Sequence, residues 1–206
     1  QRIYANKILM KKNDHGLPDS SVIMSCFNQS FKIDKIMFDC WIDILHRVKN
    51  SYLWLLEDNE VSKDNILTYA KSKNINMSRI IFAPRINRND HLIRLRLSDI
   101  TLDTRIYNGH TTTTDSIQCG VPIVTLIGNH FASRVSASIL KSIGLDELIT
   151  QNISSYKSLV IKLASDTDYL IKIKARLTEN NNYIDDFYNV KKFAKELEDS
   201  LISITG

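Results

Sequence analysis

Six short apolar runs alternate along the chain with segments whose apolar residues recur every three or four positions. Most of these runs are apolar at consecutive positions, which is typical of a strand buried on both faces. The three-to-four spacing is typical of a helix with one buried face. This alternation predicts an α/β fold with a Rossmann-like parallel sheet and helices on both faces. The predicted strands are residues 21–27, 52–56, 79–83, 100–102, 122–126 and 147–150.

The helical segments between and after these strands complete one predicted domain, residues 20–206, which ends in helices from about residue 155. Residues 1–19 are polar and rich in turn signals, so we expect them to be a linker from an upstream domain. The absence of an initial Met supports the expectation that the chain is a fragment. The predicted helices are residues 34–48, 66–71, 89–97, one starting at 117–119, 132–143, 156–164, 167–177 and 191–202.

The composition of the chain limits the kinds of partner that we expect it to bind. The net charge of +4 is small and the Lys and Arg residues are spread over many segments, so we expect no nucleic-acid partner. Because no apolar run approaches the ~18 residues of a membrane span, we expect no membrane association. Three cysteines, Cys26, Cys40 and Cys119, lack paired spacing and indicate free thiols in a reducing compartment. The sequence therefore predicts a cytoplasmic protein.

One stretch, Asp99 to Asp115, has the order of a phosphate-binding turn. Its strand-like start breaks at Asn108-Gly109 and is followed by His110 and four threonines before the next helical pattern. A strand, a turn and a helix start in this order can present free backbone N–H groups to a phosphate. Asp115 could then accept hydrogen bonds from ribose hydroxyls. The alternative is a capping box with Thr112 as N-cap and Asp115 at the third helical position, which needs no ligand.

Polar turns follow three of the predicted strands, at residues 28–32, 84–91 and 104–115. Ligands of parallel sheets bind outside the carboxyl ends of the strands, so we expect these turns to converge on one site. Lys32 in the first turn could stabilise a leaving diphosphate as a point charge. The alternative is an exposed lysine near a helix start.

Three basic residues in and just after the second turn share one helical face because they are three positions apart: Arg88, His91 and Arg94. They could flank a planar base, or they could form a solvated basic face. Asp99, Asp103 and Asp115 are not spaced as a metal cage and no paired-Cys site exists, so we expect no bound metal.

Seven ordered sequence blocks together resemble the carboxyl-terminal half of the catalytic region of O-linked N-acetylglucosamine transferases, the family that includes the plant SPINDLY proteins. The resemblance runs from about Gly16 to about Leu197. It implies the second Rossmann-like half of a GT-B glycosyltransferase, the half that holds most of the nucleotide sugar. The blocks are residues 26–34, 50–56, 79–84, 102–104, 108–112 with Asp115, 120–125 and 132–135.

The resemblance also implies a role for individual residues. Lys32 would be catalytic, because it would stabilise the departing UDP. The other implied contacts are those of the donor: Gln29 with the diphosphate, Leu56 near the nucleotide, His91, Arg94 and the backbone near Ile86 with uracil, Arg88 with the nucleoside, His110, Thr111 and Thr112 with the phosphates and sugar, and Asp115 with the ribose.

The implied donor substrate is UDP-N-acetylglucosamine, with no cofactor and no metal. The sequence departs from the family at Phe31, where Tyr is common, at residues 86–88, where Ala-Pro-Lys is common, and at Thr113-Thr114, where Gly-Met is common. The family also includes members that use UDP-glucose or GDP-fucose, so these donors remain alternatives.

The resemblance implies a protein acceptor, modified at Ser or Thr. In the family, an upstream half of the catalytic region contributes a histidine near the acceptor, and tetratricopeptide repeats help to bind protein substrates. Neither is found in these 206 residues. Two alternatives remain open: a non-catalytic nucleotide-binding or interaction module that uses the helical tail after Thr150, and, with less support, a nucleotide-sugar epimerase.

Overall fold

The computed structural model describes residues 10–178 and 186–205. Its six strands form one parallel sheet in the order β3-β2-β1-β4-β5-β6, with every predicted strand present. The predicted Rossmann-like α/β fold is confirmed. The strands are β1 (Val22–Cys26), β2 (Ser51–Leu56), β3 (Ile80–Ala83), β4 (Ile100–Leu102), β5 (Ile123–Leu126) and β6 (Ile149–Thr150).

Eight helices accompany the sheet within the described ranges. They are α1 (Lys35–Arg47), α2 (Glu60–Ser72), α3 (Arg88–Leu95), α4 (Thr111–Gln118), α5 (Val135–Ser142), α6 (Ile153–Ser165), α7 (Thr167–Thr178) and α8 (Val190–Thr205).

The sheet buries apolar side chains on both faces because successive residues of a strand point to opposite sides. In β1, Met24 and Cys26 join the larger core, which includes α1, α5, α6 and α7. Ile23 and the following Phe27 join a smaller core on the other face, where Leu95 of α3 packs. This double burial explains why the strand runs are apolar at consecutive positions.

Six of the described helix starts are fixed by a side-chain cap, which accepts a backbone N–H group that has no helical partner. Asp34 caps α1, Asn59, Asn87 and Asn152 cap α2, α3 and α6, and Asp166 and Asn189 cap α7 and α8. The prediction that the second helix starts at residue 66 is wrong, because α2 begins six residues earlier, at Glu60, where Asn59 caps it. The predicted start of the fifth at residue 132 is also wrong, since residues 131–133 form a separate 3-10 turn before α5.

Residues 10–19 pack against the domain. Lys12–His15 form a 3-10 turn, Leu17 is buried in the smaller core, and Lys12 Nζ donates to the Ser21 carbonyl at 3.0 Å. The remainder of the predicted linker, residues 1–9, lies outside the described residues. Across the two described ranges, no helix has the length and apolar character needed to cross a membrane.

Candidate functional site

The strand order places a crevice between β1 and β4. The chain runs to one side of β1 through β2 and β3, and to the other side through β4, β5 and β6. In open parallel sheets, ligands bind where the order reverses, outside the carboxyl ends of the strands. Here the loops after β1 and β4 meet directly, because Asn28 Nδ2 donates to Thr104 Oγ1 at 2.9 Å.

The fully buried carboxylate of Asp103 organises the loop after β4. Its Oδ1 accepts hydrogen bonds from the Gly109 N–H at 2.7 Å and the Thr104 N–H at 2.9 Å, and its Oδ2 accepts from Thr125 Oγ1 at 2.6 Å. Burial raises the pKa of Asp103, and these hydrogen bonds oppose that rise. Sequence reasoning considered Asp103 only as a metal ligand and missed this role. The sequence feature that could have identified this role is the position of Asp103 at the end of an apolar strand.

Lys32 extends from the loop after β1 into the crevice. It ends a short 3-10 turn, Ser30–Lys32, and its Nζ donates to the Asn108 carbonyl at 3.2 Å. The same Nζ lies 3.8 Å from the centroid of the Tyr107 ring. Burial lowers the pKa of Lys32, whereas the charge of Asp103 raises it. The structure therefore brings Lys32 to the turn that the sequence singles out, rather than to an open surface.

Helix α4 begins at Thr111 and points its N-terminus into the crevice. His110 is at the N-cap position and provides no side-chain cap, and the first helical hydrogen bond runs from the Thr114 N–H to the His110 carbonyl. The N–H groups of Thr111, Thr112 and Thr113 therefore precede the helical hydrogen-bond ladder. With the positive end of the helix dipole, they can attract an anion.

The alternative of a capping box at the start of this helix is wrong, as is the predicted helix start at residues 117–119. Thr112 lies within the first turn, and its hydroxyl donates to Asn28 Oδ1 at 2.6 Å instead of capping the helix. Gly109 allows this approach, since a Cβ there would lie 2.3 Å from Thr112 Oγ1. The α4 turn is thus held both by the loop after β1, through Asn28, and by the Thr113 hydroxyl, which donates to the Gly109 carbonyl at 2.8 Å.

The His110 imidazole lies between two aromatic rings, with centroid distances of 5.3 Å to Tyr107 and 6.0 Å to Phe131. Its Nε2 is buried and has no hydrogen-bond partner among the described residues. Burial lowers the pKa of His110, and the charge of Lys32 lowers it further. Both effects favour the neutral imidazole, which keeps one N–H to donate.

Arg88 and Asp115 pair between α3 and α4. Arg88 Nη2 lies 2.7 Å from Asp115 Oδ1, and Nη1 lies 3.4 Å from Oδ2. Burial raises the pKa of the Asp115 carboxyl, and the Arg88 guanidinium opposes this rise. The Tyr188 hydroxyl donates to the neighbouring Thr114 carbonyl at 2.9 Å. The two charged side chains named by the sequence prediction are therefore brought together.

His91 and Arg94 are joined by a hydrogen bond from Arg94 Nε to His91 Nδ1 at 3.2 Å. Arg94 is only 1% exposed, and its Nη1 also donates to the Pro84 carbonyl at 2.7 Å. The His91 ring meets Phe27 edge-on at 4.9 Å. Burial, with the charges of Arg94 and Arg88, lowers the pKa of His91 to about 4. Arg94 thus holds a neutral His91 in one orientation and is not part of a solvated basic face.

The remaining predicted contacts lie near the carboxyl ends of β1, β2 and β3. Gln29 is exposed at the start of the 3-10 turn, Leu56 ends β2 half-buried, and Ile86 is 38% exposed in the loop after β3. The Asp58 carboxylate connects these three loops because it accepts hydrogen bonds from Ser30 Oγ and Arg85 Nη2. Sequence reasoning missed Asp58, since nothing in its spacing distinguishes it from a surface residue.

Within the part of the chain that the structure describes, no three His, Cys, Asp or Glu side chains form a group that could hold a metal ion.

The sequence pattern of Glycosyl transferase family 41 matches residues 1–197. This chain belongs to glycosyltransferase family 41. The family 41 chain is 34% identical over 194 residues to the Caenorhabditis elegans UDP-N-acetylglucosamine–peptide N-acetylglucosaminyltransferase, which covers 94% of this chain and 17% of that protein. It is 37% identical over 155 residues to a probable enzyme of the same description, SEC, from Arabidopsis thaliana, covering 75% and 16%. The chain therefore spans about a sixth of the length of these relatives.

The fold comparison agrees with this assignment. An O-GlcNAc transferase variant from Thermobaculum terrenum superposes with a TM-score of 0.82 at 26% identity, covering 89% of this chain and 36% of that one. The α,α-trehalose-phosphate synthase of Burkholderia vietnamiensis superposes at 0.62 and 12% identity, covering 94% and 47%, which shows the fold alone. The family resemblance seen in the sequence is confirmed.

Proposed function

We propose that this family 41 chain is the donor-binding part of a protein O-glycosyltransferase. In this proposal, a UDP-sugar binds in the crevice between β1 and β4, and its sugar is transferred to Ser or Thr hydroxyls of proteins. The descriptions of the Caenorhabditis elegans and Arabidopsis relatives support UDP-N-acetylglucosamine as donor and a peptide as acceptor. UDP-glucose and GDP-fucose are the alternative donors.

The observation that carries the proposal is the meeting of Lys32 with the loop that leads into α4. Lys32 Nζ lies 3.2 Å from the Asn108 carbonyl, two residues before His110 at the N-cap of α4. An ammonium group and uncapped helix N–H groups in one crevice are complementary to a diphosphate, which carries adjacent negative charges.

Each residue then has a proposed place along the donor. Lys32, Gln29, His110, Thr111 and Thr112 bind the diphosphate and sugar. Asp115, with Arg88, binds the ribose hydroxyls, and Leu56 lies near the nucleotide. The backbone near Ile86 and the neutral His91 hold uracil, while the buried Arg94 acts mainly by orienting His91.

The proposed chemistry is a displacement at the anomeric carbon. The acceptor hydroxyl gives up its proton to water as its oxygen forms a bond to that carbon, the bond from the carbon to the diphosphate oxygen breaks, and UDP leaves with the electron pair. Negative charge grows on the leaving oxygen, where the Lys32 ammonium and the α4 N–H groups stabilise it. The proposal uses no metal and no cofactor for this step.

Acceptor recognition is proposed to lie in the parts of the relatives that this chain does not span, including an upstream catalytic half and tetratricopeptide repeats. We further propose a cytoplasmic location, which the buried free thiols Cys26 and Cys40 support. No nucleic-acid or membrane partner is part of the proposal.

Calorimetric titration of the 206-residue chain with UDP tests the donor site. We expect binding that weakens about tenfold or more in Lys32→Ala and in His110→Ala, because each removes a hydrogen bond to a charged ligand. Lys35→Ala is the matched control, since Lys35 is a largely exposed lysine three residues away. Parallel titrations with GDP, UDP-glucose and UDP-N-acetylglucosamine rank the donors. No heat from millimolar UDP on folded protein, or equal affinity in all three variants, would contradict the proposal and favour a non-catalytic module.

A further inference from the structure

Tyr107 has a fixed place in the loop after β4. Thr104 Oγ1 donates to the Tyr107 carbonyl at 2.6 Å, and the next residue, Asn108, donates its N–H to the Ala132 carbonyl at 2.8 Å. The backbone on both sides of the ring is therefore held by hydrogen bonds. Its side chain lies at the mouth of the crevice, and the residue is 40% exposed.

Two neighbouring residues of this loop hold the Lys32 ammonium. The Asn108 carbonyl accepts a hydrogen bond from Nζ at 3.2 Å, and the Tyr107 ring centroid lies 3.8 Å from the same atom. A cation within about 6 Å of a ring centroid is attracted to the ring face, more strongly when the cation is partly desolvated. Lys32 is half-buried, so the ring replaces water on one side of the ammonium.

The same ring also contacts the imidazole of His110, at a centroid distance of 5.3 Å. One aromatic side chain thus touches both the cation and the N-cap residue of the turn. Both contacts use the ring and not its hydroxyl. A lysine without such a contact would sample many rotamers around its flexible stem, which costs entropy when an anion orders it.

We propose that Tyr107 is a positioning residue that holds the Lys32 ammonium, through its ring face, where it meets the donor diphosphate. This inference rests on the proposed function of the same crevice. Tyr107 acts through Lys32 and is assigned no bond to the reacting atoms.

Three single variants of the 206-residue chain, titrated with UDP and with uridine, test the assignment. In Tyr107→Leu, which keeps bulk but removes the ring, we expect UDP affinity to fall by about threefold to thirtyfold, the range of a cation–π contact. Uridine affinity should not change, because uridine lacks the diphosphate. Tyr107→Phe should keep the wild-type UDP affinity. The control Ile106→Ala, at the adjacent residue that is 47% exposed, should also bind UDP as wild type.

A double-mutant cycle separates positioning from a merely structural role. In a Lys32→Met background, Tyr107→Leu should have no further effect on UDP binding, because the ammonium group that the ring holds is absent. An equal loss in both backgrounds, or an equal loss of uridine affinity, would overturn the inference.

Failure of the inference and failure of the proposed function give different results. If the wild-type chain binds UDP and Tyr107→Leu binds it equally well, only the inference falls. If the wild-type chain binds no UDP, the proposed function falls with the positioning role. The contact itself is then judged by NMR in the free chain. Ring-current shifts of the Lys32 side-chain protons should disappear in Tyr107→Leu and persist in Tyr107→Phe, and their absence in the wild type would refute the contact.

Discussion

The carboxylate of Asp115 accepts hydrogen bonds from both terminal nitrogens of the Arg88 guanidinium, at 2.7 and 3.4 Å. The two partners differ in environment, because the Asp115 side chain is 7% exposed and the Arg88 side chain is 58% exposed. The Asp115 carboxylate is therefore buried in the wall of the crevice, whereas the Arg88 guanidinium approaches it from the solvent side. Under the proposed function, the hydroxyls of a bound ribose would replace the Arg88 nitrogens as hydrogen-bond donors to Asp115.

Replacing Arg88 with Ala should lower the free energy of unfolding by about 1–2 kcal/mol. The reason is that a buried carboxylate loses the cation that compensates for its desolvation, and the exposure of Arg88 limits the effect. Urea unfolding followed by circular dichroism measures the change. Arg47→Ala, at an exposed position at the end of α1, is the control and should stay within about 0.5 kcal/mol of wild type. Equal losses in the two variants would show that the pair contributes nothing.

Asp103→Asn should destabilise the fold by about 2–4 kcal/mol. The amide NH₂ of Asn would face donors that now meet a carboxylate oxygen, so at least one buried donor would lose its acceptor. Thermal and urea unfolding give the measurement. Asp43→Asn makes the same chemical change at a side chain that is 55% exposed, and it should cost little. Stability close to wild type in Asp103→Asn would mean that the loop after β4 does not depend on this carboxylate.

The lowered pKa of His91 predicts a pH dependence of stability. The folded chain binds this proton only near pH 4, whereas the unfolded chain binds it near 6.5, the ordinary value. Between these values the unfolded state carries more protons, so the free energy of unfolding falls as the pH falls from 6.5 towards 4. Above pH 6.5, His91 is neutral in both states, so its contribution to the free energy of unfolding no longer changes with pH.

Urea unfolding of wild type and His91→Asn at pH 7.5 and pH 5 tests this dependence. Asn keeps an oxygen that can accept the Arg94 hydrogen bond but does not titrate in this range. The loss of stability between the two pH values should therefore be smaller in the variant. The same loss in both proteins would assign the pH dependence to other groups.

Gly109→Ala should destabilise the chain by about 1–3 kcal/mol, the usual cost of overpacking. A Cβ at this position would lie 2.3 Å from Thr112 Oγ1 and 2.8 Å from Thr113 Oγ1. Thr112→Ala removes the nearer oxygen, so Gly109→Ala should cost less in that background than in wild type. Chemical unfolding of the four proteins completes the cycle. Additive losses would contradict the steric explanation.

The strands of this fold can be predicted because a parallel strand buried on both faces is apolar at consecutive positions. The beginning of α2 cannot be found from the same signal, since its first residues from Glu60 are mostly exposed and carry no apolar periodicity. There the relevant signal is the cap residue Asn59, which accepts the Ser62 N–H. Local capping chemistry, rather than hydrophobicity, sets that boundary.

The α4 turn shows why part of the site lies beyond sequence reasoning. Four consecutive threonines offer several equivalent N-caps, and nothing local selects one. The selection comes from distant residues, because Asn28 takes the hydroxyl of Thr112 and Ser136 pairs with that of Thr113. Asp103 is missed for the same reason, since the Gly109 N–H and the Thr125 hydroxyl reach its carboxylate only after folding.

The Asp58 carboxylate links the loops after β1, β2 and β3. An engineered change in one of these loops therefore affects the other two. A loop transplanted from a relative into residues 84–87 must bring an arginine at position 85, or the graft loses its tether to the loop after β2. A graft into residues 28–32 must likewise keep the Ser30 hydroxyl. Under the proposed function, donor preference would therefore be redesigned best by exchanging these loops as a set.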